Sequence, residues 1–344
     1  MSKIRLVLKK IAISAVISFL VFASISIALI FTQNLISTNE LQASNSEGGL
    51  DFTTLTSAET TPIPPLLSYT ARDGAKLDFR RYESAIPTDT YFVLLHGSGW
   101  HGQQFLSMAS AIAQSGVANV ITPNLRGHGV SPISRGDLAY IGQFEDDIDD
   151  LITVIKKDNS NAKIILGGHS SGGGLVVRYL GGPYGKTVDA AILLAPYLKY
   201  NAPTTRVNSG GWARPLTRRI IGLSMLNSIG ITALNSLPVI QFNMPQKVLD
   251  GPLGNTATLN YSYRLNTAFA PRSDYEADLK AMTLPFLLLI GSEDEAFFAD
   301  KYEAVISSQT ASGTYITLPG LSHLQIAQNE KSSRAIIDWV KALK

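Results

Sequence analysis

The chain has 344 residues, 45% of them hydrophobic, enough for one large domain with a substantial core or for two small ones. The formal net charge is +2, but Lys3, Arg5, Lys9 and Lys10 leave the rest of the chain slightly acidic, which excludes a broadly basic surface and argues against a nucleic acid partner. The absence of cysteine excludes disulfides, thiolate metal sites and cysteine nucleophiles, so any covalent nucleophile must be oxygen or nitrogen.

Residues 1–10 form a basic segment, and the run IAISAVISFLVFASISIALIFT from Ile11 to Thr32 follows without a charged residue. Its 22 positions are enough to cross a bilayer as a helix. A cleaved signal peptide usually has an apolar region of roughly 7 to 15 residues, so the run reads as an uncleaved transmembrane anchor. Leu41-Gln42-Ala43 keeps cleavage and secretion as the alternative. With an anchor, the positive-inside rule places Lys3 to Lys10 in the cytoplasm and the remainder outside. Residues 33–65 are rich in Ser, Thr, Asn and Glu and close on Pro62, Pro64 and Pro65. They read as a flexible tether of about 33 residues, spanning roughly 30 Å as a random coil.

Residues 66–344 read as the folded domain. Two alternating runs around Arg72-Asp73-Gly74 predict a β-hairpin. Short apolar runs then begin at Tyr91, Ala118, Lys163, Ala190, Pro285 and Thr314, as expected of strands buried on both faces. Amphipathic stretches from Phe105 and Phe144 lie between them, predicting a doubly wound α/β domain with a mostly parallel sheet. The alternation breaks once, over about 198–282, where an inserted cap without clear strands is expected. The uncharged stretch from Ile220 to Gln246 is assigned to cap helices, whose apolar face either packs within the cap, lines a tunnel or touches the bilayer. Glu145, Asp146, Asp147, Asp149 and Asp150 open a predicted helix that ends near Lys156 and Lys157, so they read as a solvated face complementing the helix dipole rather than a metal site.

The chemistry centres on Gly168-His169-Ser170-Ser171-Gly172, which stands between a buried strand and a helix. A G-x-S-x-G turn in that context projects the serine hydroxyl above a sheet, with Gly168 and Gly172 leaving room for a strained backbone. A serine needs a base to take its proton and a third group to orient that base. Of five histidines, His323 follows the last predicted strand and is the candidate base; His96, His128 and His169 sit inside other turns and are expected to bond loop backbone, while His101 has no recognisable partner. Ser292-Glu293-Asp294-Glu295 follows the penultimate strand, and Asp294, three residues past Gly291, is the candidate acid, with Glu293 and Glu295 expected to face solvent. The oxyanion hole is assigned to the N–H of Ser171 and to that of Ser98 in LLHGSGWHG, with Gly99 as the alternative to Ser98.

LLHGSG, PNLRGHGVS, GHSSGGG and IGSEDEAF occur in the order and with the spacing seen in one branch of a known superfamily. From about Leu66 to Lys344 the chain resembles the monoacylglycerol lipase, lysophospholipase and serine aminopeptidase branch of the α/β-hydrolases. Asn124 stands where that branch usually has Asp, in a turn without catalytic role. The resemblance implies an α/β-hydrolase fold with an inserted cap and hydrolysis of a small-molecule acyl ester, or of an amide, through an acyl-enzyme, without metal or organic cofactor. An aminopeptidase would need cap acids to hold a substrate ammonium, for which Asp274, Glu276 and Asp278 are candidates. A non-catalytic binding protein on this fold would be expected to have lost one of Ser170, Asp294 and His323.

Overall fold

A computed structural model describes residues 2–44, 49–53 and 61–343. The hairpin and the six apolar runs of the folded domain become an eight-stranded sheet: β1 (Leu66–Thr70), β2 (Lys76–Tyr82), β3 (Thr90–Leu95), β4 (Asn119–Pro123), β5 (Lys163–His169), β6 (Ala190–Leu194) and, after the cap, two strands near the C-terminus. The sheet order is β1-β2-β4-β3-β5-β6, continued by those last two strands. The β1–β2 hairpin turns at Gly74 and is antiparallel, and β2 pairs antiparallel with β4. All other pairs are parallel. In the central strands Phe92, Val93, Leu94, Ile164, Leu166, Ile192 and Leu193 are fully buried, which is why these segments lack a polar alternation.

Among the described residues eleven α-helices accompany the sheet. α1 (Ser2–Phe31) and α2 (Thr38–Ser44) precede it; α3 (Leu106–Gln114), α4 (Gln143–Asp158) and α5 (Ser171–Leu180) connect its strands. α6 (Thr217–Ser228), α7 (Gln246–Leu249), α8 (Tyr263–Ala268) and α9 (Tyr275–Ala281) lie between β6 and the penultimate sheet strand; α10 (Tyr302–Ser307) and α11 (Glu330–Ala342) follow. The strand order reverses direction at β3 and β5. Right-handed crossovers then place α3 and α5 on opposite faces, and the crevice at the C-terminal strand ends becomes the natural site.

The cap departs from expectation in containing a sheet of its own: β7 (Ala213–Pro215), β8 (Pro238–Phe242) and β9 (Asn260–Ser262), antiparallel in the order β7-β8-β9. Only the first part of the uncharged stretch, in α6, is helical. After Gly230 (φ 79°) the chain turns and enters β8. Three- and five-residue strands are too short to leave a legible period. β10 (Phe286–Gly291) and β11 (Gly313–Leu318) complete the main sheet.

The acids of α4 also differ from the expected solvated face. Glu145 and Asp147 are buried, Glu145 on Arg178 at 2.6 Å and Asp147 on Arg126 at 2.7 Å. Asp146, Asp149 and Asp150 converge on Arg72 of the β-hairpin turn. The arginines lie far away in sequence, which is why a local reading of the acidic run misses them.

α1 runs through the basic segment as well as the apolar run, because no Gly or Pro interrupts it. At 1.5 Å per residue its 30 residues extend about 45 Å, enough to cross a membrane. Most of its apolar side chains are exposed, but Ser26 and Ile30 are buried against α6 of the cap, where a Cβ on Gly222 would lie 2.6 Å from the Ser26 carbonyl oxygen. Arg219 donates to the carbonyls of Ile30 (3.0 Å) and Gln33 (2.6 Å), satisfying acceptors that a helix C-terminus leaves open.

Parts of the expected flexible tether are likewise placed on the domain. Leu41 of α2 is buried, Gln42 donates to the Met244 carbonyl at 2.8 Å, and the Gln241 amide exchanges two hydrogen bonds with the backbone of Ile36. Phe52 is buried against Trp212, ring centroids 5.5 Å apart. These are single apolar anchors in polar surroundings, so composition alone reads as disorder. Residues 45–48 and 54–60 of the tether lie outside the described residues.

Candidate active site

β5 ends at His169 and α5 begins at Ser171, leaving Ser170 alone at the turn with φ 54° and ψ −120°. That conformation costs on the order of 1–3 kcal/mol for a non-glycine residue and persists only when its surroundings enforce it. Here the Ser170 N–H donates to the Leu194 carbonyl, and the Ser170 carbonyl accepts from Gly174 and Tyr197. The flanking glycines are required by close approach: a Cβ at Gly168 would sit 2.3 Å from the Gly172 oxygen, and one at Gly172 2.3 Å from the Leu95 oxygen.

The loops after β5, β10 and β11 bring Ser170, Asp294 and His323 together at the C-terminal edge of the sheet. His323 Nε2 lies 3.0 Å from Ser170 Oγ, and His323 Nδ1 lies 2.8 Å from Asp294 Oδ2. An ionised carboxylate only accepts, so Nδ1 carries the proton and Nε2 is free to take one from the hydroxyl. Asp294 Oδ1 accepts from the N–H groups of Ala296 (2.9 Å) and Phe297 (2.7 Å), which fixes the carboxylate. All three side chains are buried, and the Phe297 ring stands edge-on to His323 at 5.0 Å.

Of the two neighbouring acids, Glu293 is exposed as expected, but Glu295 is not a solvent-facing side chain. Its Oε2 accepts the His323 backbone N–H at 2.8 Å, and its Oε1 accepts the Asp51 N–H at 2.6 Å. The reversal follows from the turn after Asp294, which folds Glu295 back over the loop carrying the histidine.

Ser98 lines the same pocket as Ser170, Ser171 follows Ser170 at the start of α5, and among the described residues neither backbone N–H donates to a protein acceptor. Gly99, the alternative to Ser98, is engaged: its N–H donates to the Tyr261 hydroxyl at 2.6 Å. His96 bonds the Gly97 carbonyl and the Leu125 N–H, as a loop-bracing histidine should. His128 bonds the Arg126 carbonyl and Tyr261. His169 donates through Nε2 to the His323 carbonyl (2.9 Å) and accepts at Nδ1 from Gln104 (3.2 Å). Burial holds His169 far below the ordinary imidazole range, so it stays neutral in this role. His101 stacks on Trp100, and its Nδ1 accepts weakly from the Gln103 N–H at 3.4 Å. Sequence reasoning missed Glu295, Gln104, Leu50 and Phe52 as site residues.

Beside Ser170 lies an apolar pocket whose walls include Leu50, Phe52, Trp100, Trp212, Met244 and Leu324. No Asp or Glu lines it among the described residues. With Leu50 and Phe52 seated, its free volume is about 30 Å³, room for one or two waters. The cap acids suggested for an ammonium are engaged elsewhere or exposed. Asp278 is buried on Arg272 at 2.7 Å, Asp274 caps α9 through the Ala277 N–H, and Glu276 is exposed.

Residues 87–331 match the family described as Serine aminopeptidase, S33. The chain belongs to this family. A monoacylglycerol lipase of Mycolicibacterium smegmatis is 32% identical over 104 residues, a stretch that covers 30% of this chain and 36% of that lipase. Among solved structures, the family member is similar to a monoacylglycerol lipase of Paleococcus ferrophilus, with a TM-score of 0.58 at 19% identity over 78% of this chain and 100% of the other. It is similar also to a carboxyl esterase of Bacillus coagulans, with a TM-score of 0.62 at 15% identity over 82% of this chain and 99% of the other. These likenesses establish the α/β-hydrolase fold.

Proposed function

We propose that this hydrolase cleaves carboxylic esters with lipid-like acyl groups, of the monoacylglycerol or lysophospholipid type, through an acyl-enzyme on Ser170. The observation that carries the reading is the Ser170–His323–Asp294 hydrogen-bonded series opening onto an apolar pocket without a carboxylate. In the first half-reaction, His323 Nε2 takes the hydroxyl proton as Ser170 Oγ attacks the ester carbonyl carbon. The carbonyl oxygen becomes an oxyanion held by the N–H groups of Ser98 and Ser171, and Asp294 stabilises the imidazolium. Collapse breaks the bond to the alcohol, which leaves with the proton from His323. Water then repeats the sequence on the acyl-serine, its proton passing to His323 and on to the released Ser170 oxygen.

The same pocket weighs against an aminopeptidase, since a substrate ammonium would enter apolar surroundings without a counter-charge. A fluorophosphonate probe is expected to label the wild-type chain and not Ser170→Ala, and esters graded by chain length are expected to turn over faster than aminoacyl-naphthylamides. Equal labelling of the two proteins would remove Ser170 from the mechanism. Faster cleavage of the amides would reassign the substrate.

For location, the reading is a single-pass anchor in α1 with residues 1–10 cytoplasmic and the catalytic domain outside. Its length and apolarity, and the flanking Lys and Arg, support it. Protease added to intact cells should reach the catalytic domain while the chain stays in the membrane fraction. Recovery of soluble protein starting near residue 44 would establish secretion instead.

A further inference from the structure

Three cap residues converge on the turn that carries Ser98. Trp212 Nε1–H donates to the Ser98 hydroxyl at 3.0 Å. The Thr258 N–H donates to the Gly99 carbonyl at 2.9 Å, and the Gly99 N–H donates to the Tyr261 hydroxyl at 2.6 Å. Gly99 has φ 80°, so this turn holds a left-handed backbone. Side chains from an inserted domain thus fix two successive residues beside the serine.

The direction of each bond around Tyr261 can be assigned from its partners. The Arg126 carbonyl can only accept, so His128 Nδ1 carries a proton and, in the neutral imidazole, Nε2 is the acceptor. Tyr261 therefore donates its hydroxyl hydrogen to His128 Nε2 at 2.7 Å and uses an oxygen lone pair for the Gly99 N–H. Burial keeps His128 at about 4, so the acceptor persists through the neutral pH range. His96 braces the same turn from the sheet side through the Gly97 carbonyl. These bonds engage the Ser98 hydroxyl as an acceptor and both backbone groups of Gly99, and leave the Ser98 N–H outside the set. That group has no protein acceptor among the described residues.

We propose that the cap is a working part of the oxyanion hole, with the Tyr261 hydroxyl as the positioning group that claims the Gly99 N–H and so aims the Ser98 N–H at the oxyanion. Trp212 supports the same geometry by restraining the Ser98 side chain. Neither residue need touch the reacting atoms, and both act through the turn. The proposal rests on the ester-hydrolase reading, in which Ser98 stabilises the tetrahedral intermediate.

The test is Tyr261→Phe in the full-length chain. It keeps the ring, which packs on Phe242 at 4.6 Å and beside His128 and Phe269, and deletes only the hydroxyl. A misaimed donor acts on the transition state more than on the bound ester, so kcat is expected to fall about 10- to 100-fold while KM stays within about twofold. Affinity for a trifluoromethyl ketone, which forms a tetrahedral adduct on serine, should fall with kcat. A kcat within twofold of wild type, or equal losses in ketone affinity and ester binding, would overturn the proposal.

Trp212→Phe and Ser98→Ala supply a second measurement if Tyr261→Phe folds poorly. Both remove one bond, so the double variant is expected to lose no more kcat than the larger single effect. Additive losses would overturn the restraint assigned to Trp212. Wild-type chain that turns over no ester would instead contradict the underlying reading, an outcome visible before any variant is made.

Discussion

Glu295 and His323 are joined by a hydrogen bond that bypasses the imidazole: the carboxylate accepts the histidine's backbone N–H at 2.8 Å, while adjacent Asp294 holds the ring. Two consecutive acids thus position one histidine, one through its main chain and one through its side chain. Glu295→Gln retains an oxygen acceptor and should keep activity within a few fold. Glu295→Ala leaves the loop unheld, and a kcat lower by about tenfold with unchanged KM is expected. Steady-state kinetics of both variants check this, and equal kcat values for them would contradict it.

Asp294→Asn should be far more damaging. An amide at this position can present its NH₂ to His323 Nδ1, which moves the ring proton to Nε2 and removes the base. A loss of about 10⁴-fold in kcat is expected at neutral pH with little change in melting temperature. Retention of more than a tenth of the activity would mean that another group orients the histidine.

Phe52 closes the pocket from a segment outside the family match, seated on Trp212 and followed along the chain from Asp51, whose N–H is held by Glu295. Replacing it by Ala removes an aromatic ring from the pocket lining. The ratio of kcat/KM for a long acyl ester over a short one is expected to rise by about tenfold, consistent with the worth of a few methylenes. A ratio unchanged across the ester panel would show that the segment does not limit the acyl site.

Four buried histidines make stability acid-sensitive. Burial lowers His128 to about 4 and His101 to about 3, and also depresses His96 and His169. In the unfolded chain these imidazoles protonate near 6.5, so between that value and about 4 the unfolded state binds more protons. Stability is therefore fully present above about pH 6.5 and falls as pH drops toward 4, on the order of 2–3 kcal/mol from His128 alone. Melting temperatures measured from pH 7.5 to 4.5 should decline steadily. A flat profile would mean that these rings take up protons as readily in the folded protein as in the unfolded chain.

The parts of this protein legible in its sequence are those governed by short-range periodicity. Six of the eight main-sheet strands match apolar runs and the other two the alternating runs of the hairpin, and Ser170 and His323 stand where strand ends must deliver them. Asp294 is identifiable by its distance from Gly291, but Glu295 is not, because three adjacent carboxylates differ only in how the turn points them. The positions of Leu50 and Phe52 are likewise illegible. Nothing local in a polar stretch states that one aromatic ring will find Trp212, which lies far along the chain. The cap sheet escapes for a third reason, since its strands are short and interrupted by turns.

The contact between α1 and α6 has a consequence for maturation. A peptidase cutting after Ala43 would carry away Ile30, which shares a core with Leu223, Leu226, Val239 and Tyr263, and would leave the Arg219 guanidinium without two of its acceptors. The processed product would thus be a wounded cap obliged to repack, and the first strand after that wound, β8, leads through β9 to Tyr261 and the oxyanion turn. In this chain α1 packs on the same cap that supplies Tyr261 to the turn of Ser98.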